Sequence, residues 1–355
     1  DTYGTPAYIY SGSRIQKNFI KYADALREGD LICYAVKANS NIHILKRLAQ
    51  LGSGFDVVSG NELKRCIEAG ADPKKIVFSG VAKSSEELEL AINEEILSIN
   101  IESEDEFDRI VAISETLNKE TKCSIRINPD IPTGSHKYIE TGLKTSKFGM
   151  DNETLKNISL KAKNREFIQI TGLVSHIGSQ ISDNSLIMKS LEHLLTAHKL
   201  LLNDGHDINF LDVGGGLGIT YKDEIPGDPK SLISEISKEI ELLNLHLILE
   251  PGRSITGAAG ALIAKVEYLK LTDYKNFAII NAGMNDLMRP ALYDSWHAVK
   301  EIRKRESDTR LYEIVGPICE SADVLAKERE LNISQGDLIA IMDTGAYGSA
   351  MSSNY

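Results

Sequence analysis

The feature that most constrains this chain is an alternation of strand-like and helix-like segments that runs from about residue 31 to Gly252. The strand-like segments are short apolar runs without polar alternation, such as the DLICYAV that begins at Asp30. Runs of this kind are typical of buried parallel strands. Eight strand-like and eight helix-like segments alternate. The α/β pattern therefore predicts a closed (β/α)8 barrel of the TIM type.

The pattern changes from about Thr256 onward. Short β-type runs separated by turn residues, such as NFAIINAG and DLIAIMDTG, replace the alternating units. They predict a smaller all-β domain after the barrel. We therefore expect a barrel domain over 13–256 and a β domain over 257–355, which an N-terminal strand within 1–12 joins.

Composition and charge argue against several classes of protein. The 355 residues carry a formal net charge of −11, which disfavours nucleic acid or an anionic membrane as the main partner. No apolar run is long enough to cross a membrane, and the scattered cysteines form no C-x-x-C pair, so neither a disulfide framework nor a metal site is predicted. Cys33, Cys66 and Cys123 are expected in or near the core. The expectation is a soluble, cytoplasmic chain whose ends have been trimmed.

Unusual polar or flexible residues stand where the predicted barrel strands end. Lys37 follows the first barrel strand, His176 the sixth, Gly214–Gly216 the seventh and Glu250 the eighth. Barrel enzymes build their sites at the carboxyl ends of the strands. This agreement predicts one active site at that end of the barrel.

The residue types at these positions indicate pyridoxal phosphate as a cofactor. Consecutive glycines let backbone N–H groups approach a ligand, and phosphate sites recur after the seventh and eighth strands of such barrels. Lys37 offers an amine for an aldehyde, Glu250 can keep a pyridine nitrogen protonated, and His176 has a flat ring that can stack on the cofactor. Each feature alone has a plainer alternative: a tight turn, a solvated lysine, a rim ion pair between Glu250 and Arg253, or a core histidine.

Seven segments of the chain carry a resemblance to a known family: YAVKAN, SHIGSQ, DVGGGLG, EPGRSI, MRPALYDSWH, VGPICESAD and GAYGSAMSSNY. In this order, and over nearly the whole chain, they resemble the meso-diaminopimelate decarboxylases, pyridoxal 5'-phosphate enzymes of the alanine-racemase-like fold. The resemblance implies a carboxy-lyase that decarboxylates meso-2,6-diaminopimelate at its D centre. The products would be L-lysine and CO2, in the last step of lysine biosynthesis.

The resemblance also implies a role for each matching residue. The cofactor-binding residues are Lys37, which would form the Schiff base, with Asp56, His176, Ser179, Gly214, Gly215, Gly216, Glu250, Gly252 and Tyr347. The substrate-binding residues are Arg253, Arg289, Tyr293, Glu320 and Tyr347. The catalytic residues are Lys37 and Cys319, of which Cys319 would protonate the product carbon. Cys319 and Glu320 would be supplied across the interface of a homodimer, so a monomer would lack a complete site.

Two features separate this function from related ones. Alanine racemases of this fold place an arginine against the ring nitrogen, so Glu250 favours decarboxylation over racemisation. Arg253 and Arg289 are forked donors that match a distal carboxylate, which ornithine lacks. The closest alternative is another basic-amino-acid decarboxylase, acting on ornithine, arginine or carboxynorspermidine. More distant alternatives are an amino-acid racemase and a non-catalytic pyridoxal-phosphate-binding homeostasis protein.

Two further expectations concern the segment 136–149 and the ends of the chain. The polar segment follows the fifth barrel strand and suits a mobile lid over the barrel mouth, with an ordered surface loop as the alternative. The chain begins at DTYGTPAYIY and stops at SSNY, without segments that the resembled family has at both ends. If those segments are missing, we expect a weaker β domain and a weaker dimer, with the catalytic residues unaffected.

Overall fold

The computed structural model describes residues 3–134, 136, 138–304 and 308–355. The chain forms two compact units. We call Gln16–Gly218 with Pro226–Gly252 the barrel unit, and the residues up to Ile15 with Ile219–Ile225 and Arg253–Tyr355 the sheet unit. The domain boundaries expected from the sequence, 13–256 and 257–355, stay a prediction.

Strands and helices are numbered along the chain. The strands are β1 Ala7–Tyr10, β2 Leu31–Ala35, β3 Gly54–Val57, β4 Ile76–Phe78, β5 Ser98–Ile101, β6 Thr121–Arg126, β7 Ile168–Val174, β8 Phe210–Asp212, β9 His246–Leu249, β10 Gly260–Lys270, β11 Phe277–Ile280, β12 Val299–Glu301, β13 Arg310–Val315, β14 Val324–Leu331 and β15 Leu338–Met342. The helices are α1 Gly12–Ala23, α2 Ile42–Gln50, α3 Gly60–Glu68, α4 Ser85–Asn93, α5 Glu104–Leu117, α6 Asn152–Ala162, α7 Asn184–Asn203, α8 Pro229–Ile240, α9 Arg253–Thr256 and α10 Arg289–Tyr293.

The barrel unit contains a closed barrel of eight strands, β2 to β9, in the order of the chain. Every neighbouring pair is parallel, and Leu31 of β2 opposite Ile248 of β9 closes the sheet. Residues of β3, β4 and β5 are buried throughout, as expected for parallel strands whose two faces are both covered. The (β/α)8 barrel predicted from the sequence is confirmed.

Side-chain caps fix where the barrel helices begin. The Ser84 hydroxyl accepts from the Glu87 N–H, and the Glu87 carboxylate accepts from the Ser84 N–H, which completes a capping box at α4. The hydroxyls of Ser59 and Ser103 likewise accept from the N–H groups of Glu62 and Glu106, and so cap α3 and α5. Each cap stabilises its helix by about 1 kcal/mol.

The sheet unit holds a seven-stranded mixed sheet in the order β12-β15-β10-β11-β13-β14, with β1 also paired to β10. The long strand β10 pairs with different strands along its length: residues 261–265 pair with β15, and residues 266–270 pair with β11. β11 and β13 are parallel. The smaller β domain expected from the sequence is therefore present, with the short helices α9 and α10 in addition.

Apolar residues of β10, β11, β13 and β15 form the core of the sheet unit. In the barrel unit, the three cysteines expected in or near the core are buried, whereas Cys319 of the sheet unit is exposed. Across the described ranges, no helix combines the length and the apolar character needed to cross a membrane.

Candidate active site

Lys37 lies in a short 3-10 turn, Val36–Ala38, that directly follows β2. Its ammonium forms an ion pair with the Asp56 carboxylate near the carboxyl end of β3. The Asp56 side chain is fully buried, whereas 33% of the Lys37 side chain is exposed. A buried carboxylate therefore positions an amine that remains accessible.

Two further carboxyl groups belong to the same cluster. Asp212 is the last residue of β8, and Glu250 directly follows β9. Both interact electrostatically with Asp56 and Lys37. Oδ1 of Asp56, Oδ2 of Asp212 and Oε1 of Glu250 are buried and have no hydrogen-bond partner among the described residues. Buried polar atoms of this kind indicate a polar group that the protein alone does not supply.

The Asp212–Glu250 pair holds a proton near neutral pH. Burial raises the pKa of Glu250 well above its ordinary range, and the neighbouring Asp212 and Asp56 carboxyls raise it further. Burial also raises the pKa of Asp212 to about 7, although a hydrogen bond from the Gly214 N–H opposes this shift. Two adjacent buried carboxyl groups cannot both ionise without a large electrostatic cost.

His176 follows β7, and its ring contacts the glycine turn after β8. Its Nδ1 accepts a hydrogen bond from the Gly215 N–H at 3.3 Å. Burial lowers the pKa of His176 well below its ordinary value, and the charges of Lys37 and Arg126 lower it further. The ring is therefore neutral, and because Nδ1 accepts, its proton resides on Nε2.

Each glycine of the turn after β8 approaches backbone so closely that a side chain would clash. A Cβ on Gly215 would lie 2.1 Å from the Glu250 carbonyl oxygen, and one on Gly214 or Gly216 would lie 2.7 or 2.5 Å from a neighbouring carbonyl oxygen. Gly214 and Gly216 also have positive φ angles of 71° and 107°. Gly252 packs against the turn that carries Lys37, since its Cβ would lie 2.9 Å from that of Ala38.

These residues fit pyridoxal phosphate. Lys37 supplies an accessible amine, Glu250 has a buried oxygen without a hydrogen-bond partner, and the glycine turn forms a backbone cradle that a Cβ would fill. Glycine-rich turns of this kind bind phosphate through backbone N–H groups. Ser179 lies in the neighbouring loop after β7, where its N–H donates to the Ile139 carbonyl at 3.2 Å.

In the sheet unit, Arg253 and Arg289 converge on the ring of Tyr221. Their Cζ atoms lie 5.8 Å and 4.5 Å from the ring centroid, and Arg253 Nη1 donates to the Tyr221 hydroxyl at 2.7 Å. Arg253 also lies 4.8 Å from the ring centroid of Tyr347. The two arginines are only 6% and 5% exposed. Two buried forked cations on aromatic faces are suited to binding a carboxylate.

The remaining predicted site residues also lie in the sheet unit. The Tyr293 hydroxyl donates to Met351 Sδ at 4.0 Å. Cys319 and Glu320 lie in an exposed turn that the Asp323 carboxylate shapes by accepting the Ile318 N–H at 2.7 Å. Both side chains of the turn are therefore at the surface of this unit.

The segment 136–149, apart from Lys137, which lies outside the described residues, is hydrogen-bonded to barrel strand ends. The Thr141 hydroxyl donates to the His176 carbonyl at 2.9 Å. The Gly149 N–H donates to the buried carboxylate of Glu102, which follows β5, at 2.8 Å. These bonds favour the ordered-loop alternative, and lid motion stays a prediction.

Comparison with known proteins identifies the family. The family model "Pyridoxal-dependent decarboxylase, pyridoxal binding domain" matches residues 12–257. A diaminopimelate decarboxylase of Pseudomonas aeruginosa is 44% identical over 100% of this chain and 86% of its own length. The corresponding enzyme of Vibrio cholerae is 44% identical over 99% of this chain and 85% of its own length. The chain belongs to the diaminopimelate decarboxylase family.

Solved structures agree with this family assignment. A crystal structure of diaminopimelate decarboxylase from Helicobacter pylori complexed with L-lysine has a TM-score of 0.96 with this chain at 42% identity, covering 100% of this chain and 89% of the other. An arginine decarboxylase from Paramecium bursaria Chlorella virus has a TM-score of 0.88 at 21% identity, which shows a shared fold only.

Three residues of the carboxyl and arginine clusters in this decarboxylase were not predicted as site residues from the sequence. Asp212 precedes the glycine triplet and could have been suspected as a strand-end acid. His297, which contacts Arg289, ends the segment MRPALYDSWH. The sequence around Tyr221 contains no motif that indicates a functional role, because the role arises only from the arginines that converge on its ring.

Proposed function

We propose that this chain catalyses the pyridoxal 5'-phosphate-dependent decarboxylation of meso-2,6-diaminopimelate at its D centre, giving L-lysine and CO2. The observation that carries the proposal is the convergence of Arg253 and Arg289 on Tyr221. Diaminopimelate has an amine and a carboxylate at its distal end, and ornithine has only the amine. Two buried forked cations match the distal carboxylate. We also propose that 13–256 is the cofactor-binding domain.

The barrel unit supplies the groups for cofactor binding and electron withdrawal. Lys37 would bind the cofactor aldehyde, Gly214–Gly216 would cradle its phosphate, and His176 would stack on its ring. Bound pyridoxal phosphate supplies a conjugated ring that takes up the electron pair left on the α-carbon when its bond to the carboxylate breaks. Glu250 would face the ring nitrogen, and its buried pair with Asp212 keeps a proton available there.

Completion of the reaction requires a proton at the α-carbon. We propose that the Cys319 thiol donates it and that Glu320 binds the distal ammonium. Both residues are exposed on the sheet unit, which is consistent with their insertion into the site of a second subunit. The proposed active form is therefore a homodimer.

Substrate specificity tests the function directly. Purified protein with pyridoxal phosphate is incubated with meso-diaminopimelate and, in parallel, with ornithine, arginine, carboxynorspermidine and alanine. CO2 release and the chirality of the product are recorded. We expect release from diaminopimelate alone, with L-lysine as product.

Other outcomes identify which part of the proposal is wrong. Release from ornithine, arginine or carboxynorspermidine would show that the arginine pair does not select a distal carboxylate. Racemised alanine without CO2 would contradict the decarboxylase assignment. No turnover of any substrate despite bound cofactor would support a non-catalytic binding protein.

A further inference from the structure

His297 is completely buried and lies between an arginine and a backbone carbonyl. Its Nε2 lies 2.8 Å from Nη1 of Arg289, and its Nδ1 lies 2.8 Å from the Met342 carbonyl oxygen. A guanidinium can only donate and a carbonyl oxygen can only accept. The imidazole therefore accepts at Nε2 and donates its single proton from Nδ1.

The surroundings keep this imidazole neutral. Burial, together with the charges of Arg289, Arg253 and Arg329, lowers the pKa of His297 to about 3, although the hydrogen bond to the Met342 carbonyl opposes this shift. A protonated ring would place N–H against N–H at the Arg289 contact. The neutral tautomer is thus the only form that fits both neighbours.

The backbone of His297 is fixed as well as its ring. Arg329 donates to the His297 carbonyl oxygen from Nη2 at 2.8 Å and from Nε at 3.2 Å. The Arg329 guanidinium also stacks on Trp296, with its Cζ 4.4 Å from the ring centroid. These contacts hold the main chain at His297 and leave the imidazole little freedom to move away from Arg289.

Tyr221 supports Arg289 from a second direction. The guanidinium lies over the Tyr221 ring, and the His297 ring meets the same tyrosine edge-on, with centroids 5.3 Å apart and planes at 80°. Neither support carries a negative charge. Nε of Arg289 is buried and has no hydrogen-bond partner among the described residues.

We propose that His297 is a positioning residue that, together with Tyr221, orients Arg289 while leaving its charge and its Nε donor available for a substrate carboxylate. A carboxylate in place of His297 would also fix the guanidinium, but it would neutralise the arginine and compete with the substrate. A neutral acceptor fixes the direction without that competition. This inference rests on the proposed function, in which Arg289 holds the carboxylate retained in L-lysine.

Ligand binding provides a test that does not depend on turnover. The protein loaded with pyridoxal phosphate is titrated calorimetrically with L-lysine and with L-lysinamide, in which a neutral amide replaces the carboxylate. For His297→Phe we expect L-lysine affinity to fall about tenfold or more, the usual effect of a lost hydrogen bond to a charged group. Affinity for L-lysinamide should change less than about twofold, because the amide does not require an oriented cation.

Two amide variants separate orientation of Arg289 from simple filling of the core. His297→Gln can reach Arg289 with its carbonyl oxygen, whereas the shorter His297→Asn can reach only the Met342 side. We expect His297→Gln to regain most of the L-lysine affinity and His297→Asn to regain little. This comparison also decides the question if His297→Phe fails to fold.

The outcomes distinguish this inference from the proposed function. Wild-type protein that binds L-lysinamide as tightly as L-lysine would contradict the carboxylate role of the arginines. A wild-type preference for L-lysine that persists in His297→Phe, or equal L-lysine affinity in the Gln and Asn variants, would overturn the positioning role alone.

Discussion

Asp212 and Glu250 end neighbouring barrel strands and form a buried carboxyl pair. The last residue of β8 and the residue after β9 are held together because the Glu250 N–H donates to the Gly214 carbonyl at 2.8 Å, while the Gly214 N–H donates to Asp212 at 2.8 Å. The glycine turn therefore fixes both carboxyl groups. We infer that Asp212 adjusts the protonation of Glu250 as well as capping the turn.

The first prediction concerns the pH dependence of stability. The pKa of Asp212 rises from 3.8 to about 7 on folding, mainly through burial. Between these values the folded chain keeps a proton that the unfolded chain has released, so rising pH lowers the free energy of unfolding. Asp212→Asn cannot release that proton. Wild type should therefore lose stability relative to the variant as the pH rises. The Tm of Asp212→Asn minus the Tm of wild type, both measured without cofactor, should become more positive from pH 4 to pH 7.

Thermal unfolding monitored by circular dichroism checks this prediction. Asp207→Asn, at an exposed aspartate, serves as the matched control and should show no such trend. A difference between Asp212→Asn and wild type that stays constant across this pH range would mean that Asp212 does not retain its proton.

The second prediction concerns the amine of Lys37. Lys37→Arg keeps a positive charge beside Asp56 but has no amine that binds an aldehyde. We expect kcat to fall about 1,000-fold or more, as for removal of a covalent nucleophile. After borohydride reduction, mass analysis should find cofactor on the peptide containing residue 37 in wild type and none in the variant.

The control for Lys37→Arg is the same exchange at the exposed Lys46, which should leave both readouts as in wild type. Cofactor attached to a different lysine in wild-type protein would contradict the assignment.

The third prediction concerns the glycine turn. A Cβ on Gly215 would lie 2.1 Å from the Glu250 carbonyl oxygen, so Gly215→Ala must displace backbone. We expect a loss of about 1–3 kcal/mol in the free energy of unfolding, as for overpacked sites, together with weaker cofactor binding. Urea unfolding and titration of the cofactor absorbance measure the two effects.

Gly205→Ala is the comparison for this variant. Gly205 has a φ of 88° and open space around its Cβ position, so its substitution reports backbone strain without a clash. Cofactor affinity should be unchanged in Gly205→Ala. Equal cofactor affinity in the two variants would show that the turn does not hold the phosphate.

The fourth prediction concerns which subunit contributes Cys319 to each active site. If each site combines Lys37 of one subunit with Cys319 of the other, Lys37→Ala and Cys319→Ala proteins are each inactive, but their mixed dimer has one intact site. After random subunit exchange, the mixture should regain about a quarter of wild-type activity. Lysine formation in the mixture measures this recovery. A mixture as inactive as its components would mean that one chain provides both residues.

The barrel could be predicted because its strands are buried on both faces. Continuous apolar runs such as that of β2 distinguish parallel strands from the loops between them. Strand ends then follow directly from the pattern, which is why Lys37, His176 and Glu250 could be placed at one end of the barrel.

The sheet unit was harder to predict in full. β12 has only three residues, and β14, with the sequence VLAKEREL, carries charged residues at its exposed positions. Such strands resemble polar loops until their neighbours are known. For the same reason, Tyr221 and His297 could not be assigned a role, because each acquires it from an arginine that is distant in the sequence.

The chain passes from the barrel unit to the sheet unit for the last time between Gly252 and Arg253. On the proposed assignment, the cofactor ring is held by residues of the barrel unit. The arginines that select the substrate lie in the sheet unit, together with their support Tyr221. Electron withdrawal and substrate choice are thus assigned to different units of the chain, although the proposed proton donor Cys319 shares the sheet unit with the arginines. Evolution toward a new amino-acid substrate can therefore change the residues that support the arginines in the sheet unit, Tyr221 and His297. Glu250 of the barrel unit, which acts on the cofactor ring, can stay unchanged.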